Sequence, residues 1–317
     1  MRTDAGMVVI RPLREGDLDV ADRVMRLAFG TFMGVPDPVA VFGDAECVRP
    51  RYRAEPKWAF VAELDGEVVG SNFAACWGSF GFFGPLTVRP DLWNRGIASR
   101  LMEPVMDLFE RWGVRQAGLF TFADSPKHVA LYRKFGFQPQ RPTPLLASPV
   151  GSGGGGGEAR IFSSAAAAER DEILGSCREL TDSIYEGLDV SHEIRAVEQQ
   201  RLGETVLVDD DSGLAGFAVC HCGAGEAGTG TCFVKFAAAR PGSGAHVRFE
   251  RLLDAVESLA AARGAAVVIA GVNAAREDAH RRLLQRGFSP RMEGVIMQRP
   301  DEPGYCRPDA YVIDDLR

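Results

Sequence analysis

The sequence predicts an α/β (α+β) protein built from two tandem copies of one fold, each copy a mixed sheet wrapped by helices. Three observations carry this prediction. Strand and helix patterns alternate along the first half, landmarks of that half recur in the second at a constant offset of 151 residues, and a Gly-rich segment separates the two. A chain of 317 residues is long enough for two domains with cores of their own.

The first half begins with patterns that are typical of a strand, a helix and a hairpin. Residues 8–10 form an apolar run, and residues 17–29 carry apolar side chains at helical spacing. Residues 60–64 and 68–74 flank Asp65-Gly66, a common hairpin turn. The inward face of the helix is predicted to consist of Leu18, Ala21, Val24, Met25 and Ala28.

An apolar strand over residues 82–88 then leads through Pro90 and Asp91 into a helix that opens with Gly96 and Ala98. The first N–H groups of a helix have no partner inside it, and the helix dipole favours an anion there. Because Gly96 has no Cβ and Ala98 has a small one, a pyrophosphate could approach these donors. The apolar face of this helix is Leu101, Val105, Leu108 and Phe109.

Residues 116–122 read as the next strand, and residues 130–137 as a helix that ends at Gly136 before a strand starting at Phe137. Asp124 or Ser125 would cap this helix. The helix places Tyr132 one turn before the glycine. His128 lies one turn before Tyr132 on the same face and is a weaker candidate for a site residue.

Together these segments resemble the GNAT superfamily of N-acetyltransferases in its tandem two-domain form. The resemblance rests on V-x-P at 88–90, x-x-G-x-A at 94–98 and L-Y-x-K-x-G-F at 131–137. It implies mostly antiparallel sheets, a loop that binds the pyrophosphate of acetyl-CoA, a strand that pairs with the pantetheine arm, and Tyr132 as the group that protonates the departing thiolate. Trp93 departs from the Gln or Arg usual at the start of the loop. The implied cofactor-binding residues are Leu86, Thr87, Val88, Asn94, Arg95, Gly96, Ile97, Ala98, Ser99 and Lys134.

The resemblance implies an N-acyltransferase that moves an acetyl or short acyl group from acetyl-CoA to an amine of a small molecule or peptide by direct attack, without a metal. A non-catalytic CoA-binding or ligand-sensing module, and an acyl-CoA hydrolase or decarboxylase, remain as alternatives. No single carboxylate stands out as the base among Glu63, Glu103 and Asp124. We expect the loops at 30–55 and 77–83 to determine the acceptor. Trp77 and Phe80 would line an acceptor pocket or, as an equal alternative, pack in the core.

The predicted domains are residues 1–148 (catalytic) and 159–317 (degenerate), joined by a Gly/Ser-rich linker at 149–158. At the offset of 151, Gly96 falls on Val247, Ala98 on Phe249 and Tyr132 on Leu283, so the second copy would lack both the phosphate loop and the acid. Its role would then be structural or in substrate binding. Alternatively, residues 242–245 form a displaced phosphate loop.

Net charge and cysteine content limit the remaining functions. A net charge of −7 gives no electrostatic reason to expect a nucleic-acid or membrane partner, and it mildly favours a cationic acceptor. We expect a cytoplasmic monomer or homodimer, with the seven cysteines reduced. In a strand, Cys220 and Cys222 share one face and His221 points to the other, which favours core cysteines over a metal site shared with Cys232.

Overall fold

A computed structural model describes residues 7–151 and 159–317. The strands of the first half are β1 (Val8–Pro12), β2 (Ala59–Leu64), β3 (Glu67–Trp77), β4 (Phe80–Phe83), β5 (Thr87–Val88), β6 (Gln116–Phe122) and β7 (Gln138–Pro149). Its helices are α1 (Leu18–Met33), α2 (Val48–Ala54), α3 (Ile97–Trp112) and α4 (Pro126–Arg133).

The second half repeats this order with two initial helices in front of its main strands. Its strands are β8 (Arg160–Ile161), β9 (Gly203–Asp210), β10 (Gly213–Gly223), β11 (Gly228–Ala239), β12 (Val267–Gly271), β13 (Ser289–Arg299) and β14 (Val312–Ile313). Its helices are α5 (Ala167–Ile184), α6 (Ser191–Gln200), α7 (Ala245–Ala262) and α8 (Glu277–Gln285). The prediction of mixed α/β structure with a sheet wrapped by helices is confirmed.

Most predicted elements of the first half are present, and one is corrected. The strand predicted over residues 82–88 is two strands, β4 and β5, because Pro85 between them has no N–H to donate to a sheet. Ser125 is the N-cap of α4, which is one of the two predicted caps. The predicted inward residues of α1 are all buried.

The sheet is continuous through both halves, in the order β1-β2-β3-β4-β6-β13-β7-β12-β11-β10-β9-β8. The strand that follows α4, β7, does not return to β6 but pairs with β12 of the second half. The corresponding strand of the second half, β13, lies beside β6, and β7 and β13 pair with each other. The two halves have therefore exchanged their last strands, which the sequence pattern does not predict.

The helices cover both faces of the sheet. In the first half, α1 and α2 pack on one face through residues such as Leu18 and Val48, and α3 packs on the other through residues such as Leu101 and Phe109. Trp77 and Phe80 are fully buried where the sheet meets α5 and α6, so they are core residues of the contact between the halves.

Only part of the predicted linker lies within the described residues. β7 extends to Pro149, the first residue of that linker, which pairs with Val267 of β12. Residues 152–158 lie outside the described residues. In residues 7–151 and 159–317, no helix has both the length and the apolar character needed to span a membrane.

Candidate active site

The loop before α3 forms a concave backbone turn. Asn94 and Gly96 both adopt left-handed conformations, with φ of 65° and 78°, and Gly96 is the N-cap of α3. Alternating left-handed residues turn successive N–H groups toward one point, which suits an anion. A Cβ added at Gly96 would meet no atom within 4 Å, so the space in front of this residue is open. The predicted phosphate loop therefore has the geometry that its role requires.

Trp93, the residue that departs from the family pattern, ties this loop to the adjacent strand. Its indole N–H donates to the carbonyl oxygen of Val88 at 2.7 Å. The ammonium nitrogen of Lys127, in the first turn of α4, lies 4.7 Å from the centroid of the Trp93 ring. Such a contact holds a cation against an aromatic face. Sequence reasoning missed both roles, because a tryptophan at this position does not match the motif.

The strands beside the loop diverge where a pantetheine arm would enter. β4 pairs in parallel with β6 as far as Phe82 and Gly118, whereas β5 pairs with β3 on its other side. The hydroxyl groups of Thr87 and Ser71 lie 3.2 Å apart, so the Thr87 side chain is directed to β3. Within the described ranges, no strand of the chain pairs with β5 on the side of β6. Backbone groups on that side of β5 could bind the amides of an extended ligand arm.

Tyr132 lies on α4 at the other side of this divergence. Its side chain is buried, with its ring centroid 5.8 Å from that of Phe83. Burial raises the pKa of Tyr132 above its ordinary value, and a hydrogen bond with Thr121 acts in the opposite direction. The hydroxyl thus keeps its proton throughout the neutral range, which is the state that a general acid needs.

His128 and Lys134, on the same helix, differ in their surroundings. The His128 ring packs 4.8 Å from the centroid of Phe32 and 6.2 Å from that of Phe122, and desolvation lowers its pKa. It belongs to an aromatic group at the ends of α1 and β6. Lys134 is exposed at the end of α4, so a role in binding CoA phosphates stays a prediction.

The three carboxylates considered as bases are either ion-paired or exposed. Glu63 forms an ion pair with Arg11 at 2.7 Å, and Glu103 and Asp124 are exposed.

Cys220 and Cys232 are fully buried in the core beneath α7, and the sulfur atoms of Cys222 and Cys232 lie 3.4 Å apart. His221 points to the opposite face of β10 and lines a pocket between the two halves.

The second copy corrects one prediction. Gly244, not Val247, is the N-cap of α7, and its φ of 78° equals that of Gly96. Gly242 is also left-handed, like Asn94. The loops therefore correspond at an offset of 148 rather than 151, because the first loop contains an additional short turn, Pro90–Leu92, and α7 is correspondingly longer at its start. The prediction that Val247 and Phe249 block this loop sterically was therefore wrong. The backbone conformation agrees with the alternative, in which residues 242–245 form a displaced loop.

In the second copy, a short strand occupies the gap that opens between β12 and the end of β11. The short strand β14 pairs with β11 at Ala237 and Ala238, and the N–H of Ala239 donates to the carbonyl oxygen of Tyr311 at 3.0 Å. At the offset of 151 these three alanines correspond to Leu86, Thr87 and Val88. β14 therefore occupies the edge that is free in the first copy. Leu283, in the place of Tyr132, is fully buried and has no acidic proton.

A buried ion pair anchors β14. Arg276 and Asp314 are both fully buried, with 2.9 Å between nitrogen and oxygen, and Arg276 also donates to the carbonyl oxygen of Val312. The recess in front of the second loop is lined by two carboxylates and a phenol, those of Asp278, Asp309 and Tyr311. Both carboxylates are paired with arginines, Asp278 with Arg281 and Arg282, and Asp309 with Arg307.

Arg276→Leu is expected to destabilise the protein by about 3–5 kcal/mol, because it leaves the buried Asp314 carboxylate without a cation. Urea unfolding followed by circular dichroism measures this change. The control is Arg281→Leu, which removes an arginine with an exposed side chain that pairs with Asp278 and should cost at most about 1 kcal/mol. Equal losses in the two variants would contradict an anchoring role for Arg276.

Comparisons with known proteins bear on the first half directly. Residues 31–137 match the acetyltransferase (GNAT) family. These residues form a GNAT acetyltransferase domain. Acyl transfer from acetyl-CoA is the general chemistry of this family, and the matched residues include the phosphate loop and Tyr132. No curated protein sequence matches the chain.

Solved structures extend the likeness to both halves. A protein from Pyrococcus horikoshii superposes with a TM-score of 0.68 at 15% identity over 100% of this chain and 96% of its own. A GCN5-related N-acetyltransferase from Sphaerobacter thermophilus gives 0.60 at 14% identity, over 92% and 95% of the two chains. A tandem GNAT protein from the clavulanic acid biosynthesis pathway gives 0.55 at 14% identity, over 92% and 98%. The whole chain thus has the tandem GNAT fold.

Proposed function

We propose that this chain is an N-acyltransferase that moves an acetyl or short acyl group from acetyl-CoA to an amine of a small molecule or peptide. The observation that carries the proposal is that the open loop at Gly96 and the buried Tyr132 adjoin one core, because Ile97 at the start of α3, Phe83 at the end of β4 and Tyr132 belong to the same apolar cluster. A family match that covers both features supports the use of acetyl-CoA.

In this proposal the backbone of the loop and of the first turn of α3 binds the pyrophosphate, and the free edge of β5 holds the pantetheine arm. These contacts fix the thioester so that a neutral amine can attack its carbonyl carbon directly. The new C–N bond forms and the C–S bond breaks. Tyr132 supplies a proton to the thiolate, and the proton that the nitrogen loses as the amide forms replaces it. The chain itself is not acylated at any step.

Two alternatives make different predictions in the same assay. Thiol release from acetyl-CoA is measured with and without a panel of primary amines, together with CoA binding by calorimetry. Release that depends on an amine supports transfer. Release without an amine would indicate a hydrolase or decarboxylase, and binding without release would indicate a CoA-binding or ligand-sensing module. The cytoplasmic location and the state of monomer or homodimer stay predictions.

One CoA per chain is the expected stoichiometry, because β14 occupies the strand edge of the second copy that a pantetheine arm would need. Native mass spectrometry of the intact protein with excess CoA counts the bound molecules. Crosslinking with a photoreactive CoA, followed by peptide mapping, should label only residues before 150. Two bound molecules, or a label on α7, would mean that β14 does not exclude the cofactor.

A further inference from the structure

A polar pocket lies between the two halves, on the side of the sheet that carries α2 and α6. The first half contributes Arg51, Trp58 and Phe82 to its wall, and the second contributes Glu193 and His221. Gly84, the residue that follows β4, also forms part of the wall. Because β4 leaves β6 at this point, the pocket adjoins the divergence in which the thioester would lie.

His221 is the unusual residue of this pocket. It is 1% exposed, and neither of its ring nitrogens has a hydrogen-bond partner in the part of the chain that the structure describes. Its nearest polar neighbour is the Glu193 carboxylate, 3.5 Å from Nε2. A buried polar group without a partner costs free energy, so native proteins keep such groups mainly where a ligand or a reaction uses them.

The two carboxylates of the pocket differ in their hydrogen-bond partners. Glu226 accepts hydrogen bonds from Arg51 at 2.6 Å and from Lys235 at 3.2 Å, and these three groups carry a net charge of +1. Arg51 and Lys235 also donate to backbone carbonyl oxygens, those of Gly84 and Arg317. Glu193 has no such cation in hydrogen-bond contact within the described residues.

The surroundings of Glu193 favour its ionised form. Burial acts to raise the pKa of its carboxyl group, but the contact with His221 and the charge of Lys235 outweigh burial and hold the pKa below its ordinary value. A carboxylate beside an imidazole suits a ligand that carries a positive charge and can give up a proton. Apolar side chains of the wall, those of Trp58, Phe73 and Phe82, would contact the carbon part of such a ligand.

We propose that this pocket binds the acceptor, a small primary amine, and that the Glu193–His221 pair receives its proton. The inference rests on the proposed function. The ammonium group donates to Glu193, and His221 accepts one proton from it through Nε2, leaving a neutral amine. The amine lone pair then forms the C–N bond as the C–S bond breaks, and the second proton of the nitrogen balances the one that Tyr132 gives to the thiolate. The imidazolium left by the first proton is stabilised by Glu193. The second copy thereby supplies the base that the first copy lacks.

The test uses the intact protein and three probes, n-butylamine, 1,4-diaminobutane and phenethylamine. Without CoA, each amine is titrated against ¹⁵N-labelled imidazoles, and the His221 signal is identified by its absence in His221→Gln. At least one amine is expected to shift this signal in the wild type, and Glu193→Gln should weaken that binding by about 10-fold. If no amine shifts the His221 signal, the proposal is overturned whatever the protein does with CoA.

Kinetics supply the second readout. Glu193→Gln should raise KM for the amine. His221→Gln should lower kcat by roughly 100-fold and remove the fall in rate at acidic pH. Neither variant should change the affinity for CoA. Unchanged KM and pH profile would overturn the proposal. The other titratable groups facing the pair, which could move that profile, are Arg51, Glu55, His192, Glu226, Lys235 and Arg317.

The matched control for charge is Glu198→Gln. Glu198 lies on the same helix, α6, but pairs with Arg170 away from the pocket at 2.8 Å, so amine binding should be unaffected. Failure of the proposed function would look different, because thiol release by the wild type would then be absent or independent of an amine, whatever the titration of His221 without CoA shows.

Discussion

A Gly96→Glu variant is expected to lose CoA binding, with an affinity at least about 100-fold below that of the wild type. The new side chain would extend into the open space before the loop, and its carboxylate would repel the pyrophosphate that the loop is shaped to hold. The left-handed backbone at this position, with φ of 78°, adds about 1–2 kcal/mol of strain for a residue with a Cβ. Calorimetric titration of the folded variant with CoA measures the effect.

The chain contains its own control for that experiment. Gly244 has the same φ of 78°, stands at the same position before α7, and also has no atom within 4 Å of an added Cβ. Gly244→Glu therefore introduces the same strain and charge into the second copy, where CoA should not bind. We expect it to keep wild-type CoA affinity. Equal losses in the two variants would mean that strain, rather than the phosphate site, explains the Gly96 result.

Tyr132→Phe is expected to lower kcat by roughly 100-fold with little change in CoA affinity. Phenylalanine keeps the ring and its packing against Phe83, but it removes the proton that the thiolate would receive. Steady-state rates with the best acceptor, together with calorimetry for CoA, separate the two effects. A variant with wild-type turnover would show that water or another group protonates the thiolate.

Tyr305→Phe is the matched control for loss of a buried tyrosine hydroxyl. Tyr305 is fully buried beside Arg276, in the contact region between the halves and away from the loop and α4. Its removal should change stability rather than turnover. If both variants lost activity in proportion to their stability, the role of Tyr132 would be structural.

The sequence predicted the parts of this protein that depend on local pattern. Gly96 marks the start of α3 because a helix cap needs its conformation, and the Tyr132 helix is fixed by its capping residue and by the glycine that follows it. These signals lie within a few residues of the structure that they specify. The sequence therefore predicted the loop at Gly96 and the helix that carries Tyr132, and both lie within the residues that match the family. Their roles in the reaction stay predictions.

Other features depend on contacts between distant segments, and the sequence does not encode them locally. The second loop corresponds to the first at an offset of 148 rather than 151. The reason is that the first copy has a short turn before its helix, whereas the helix of the second copy has additional residues at its start. β14 is too short to be recognised as a strand from its sequence, and its residues do not indicate that it pairs with β11. His221 and Glu193 meet only because β10 and α6 fold against each other.

The exchange of β7 and β13 has a consequence for how the protein is made. As the ribosome releases the first half, β6 has no neighbour on its outer side until residues 289–299 emerge, and β7 must wait for β12. An unpaired strand edge invites pairing with other chains. Contacts between residues so far apart in sequence also form slowly. We therefore expect the nascent first half to be the stage at which this protein is most exposed to aggregation.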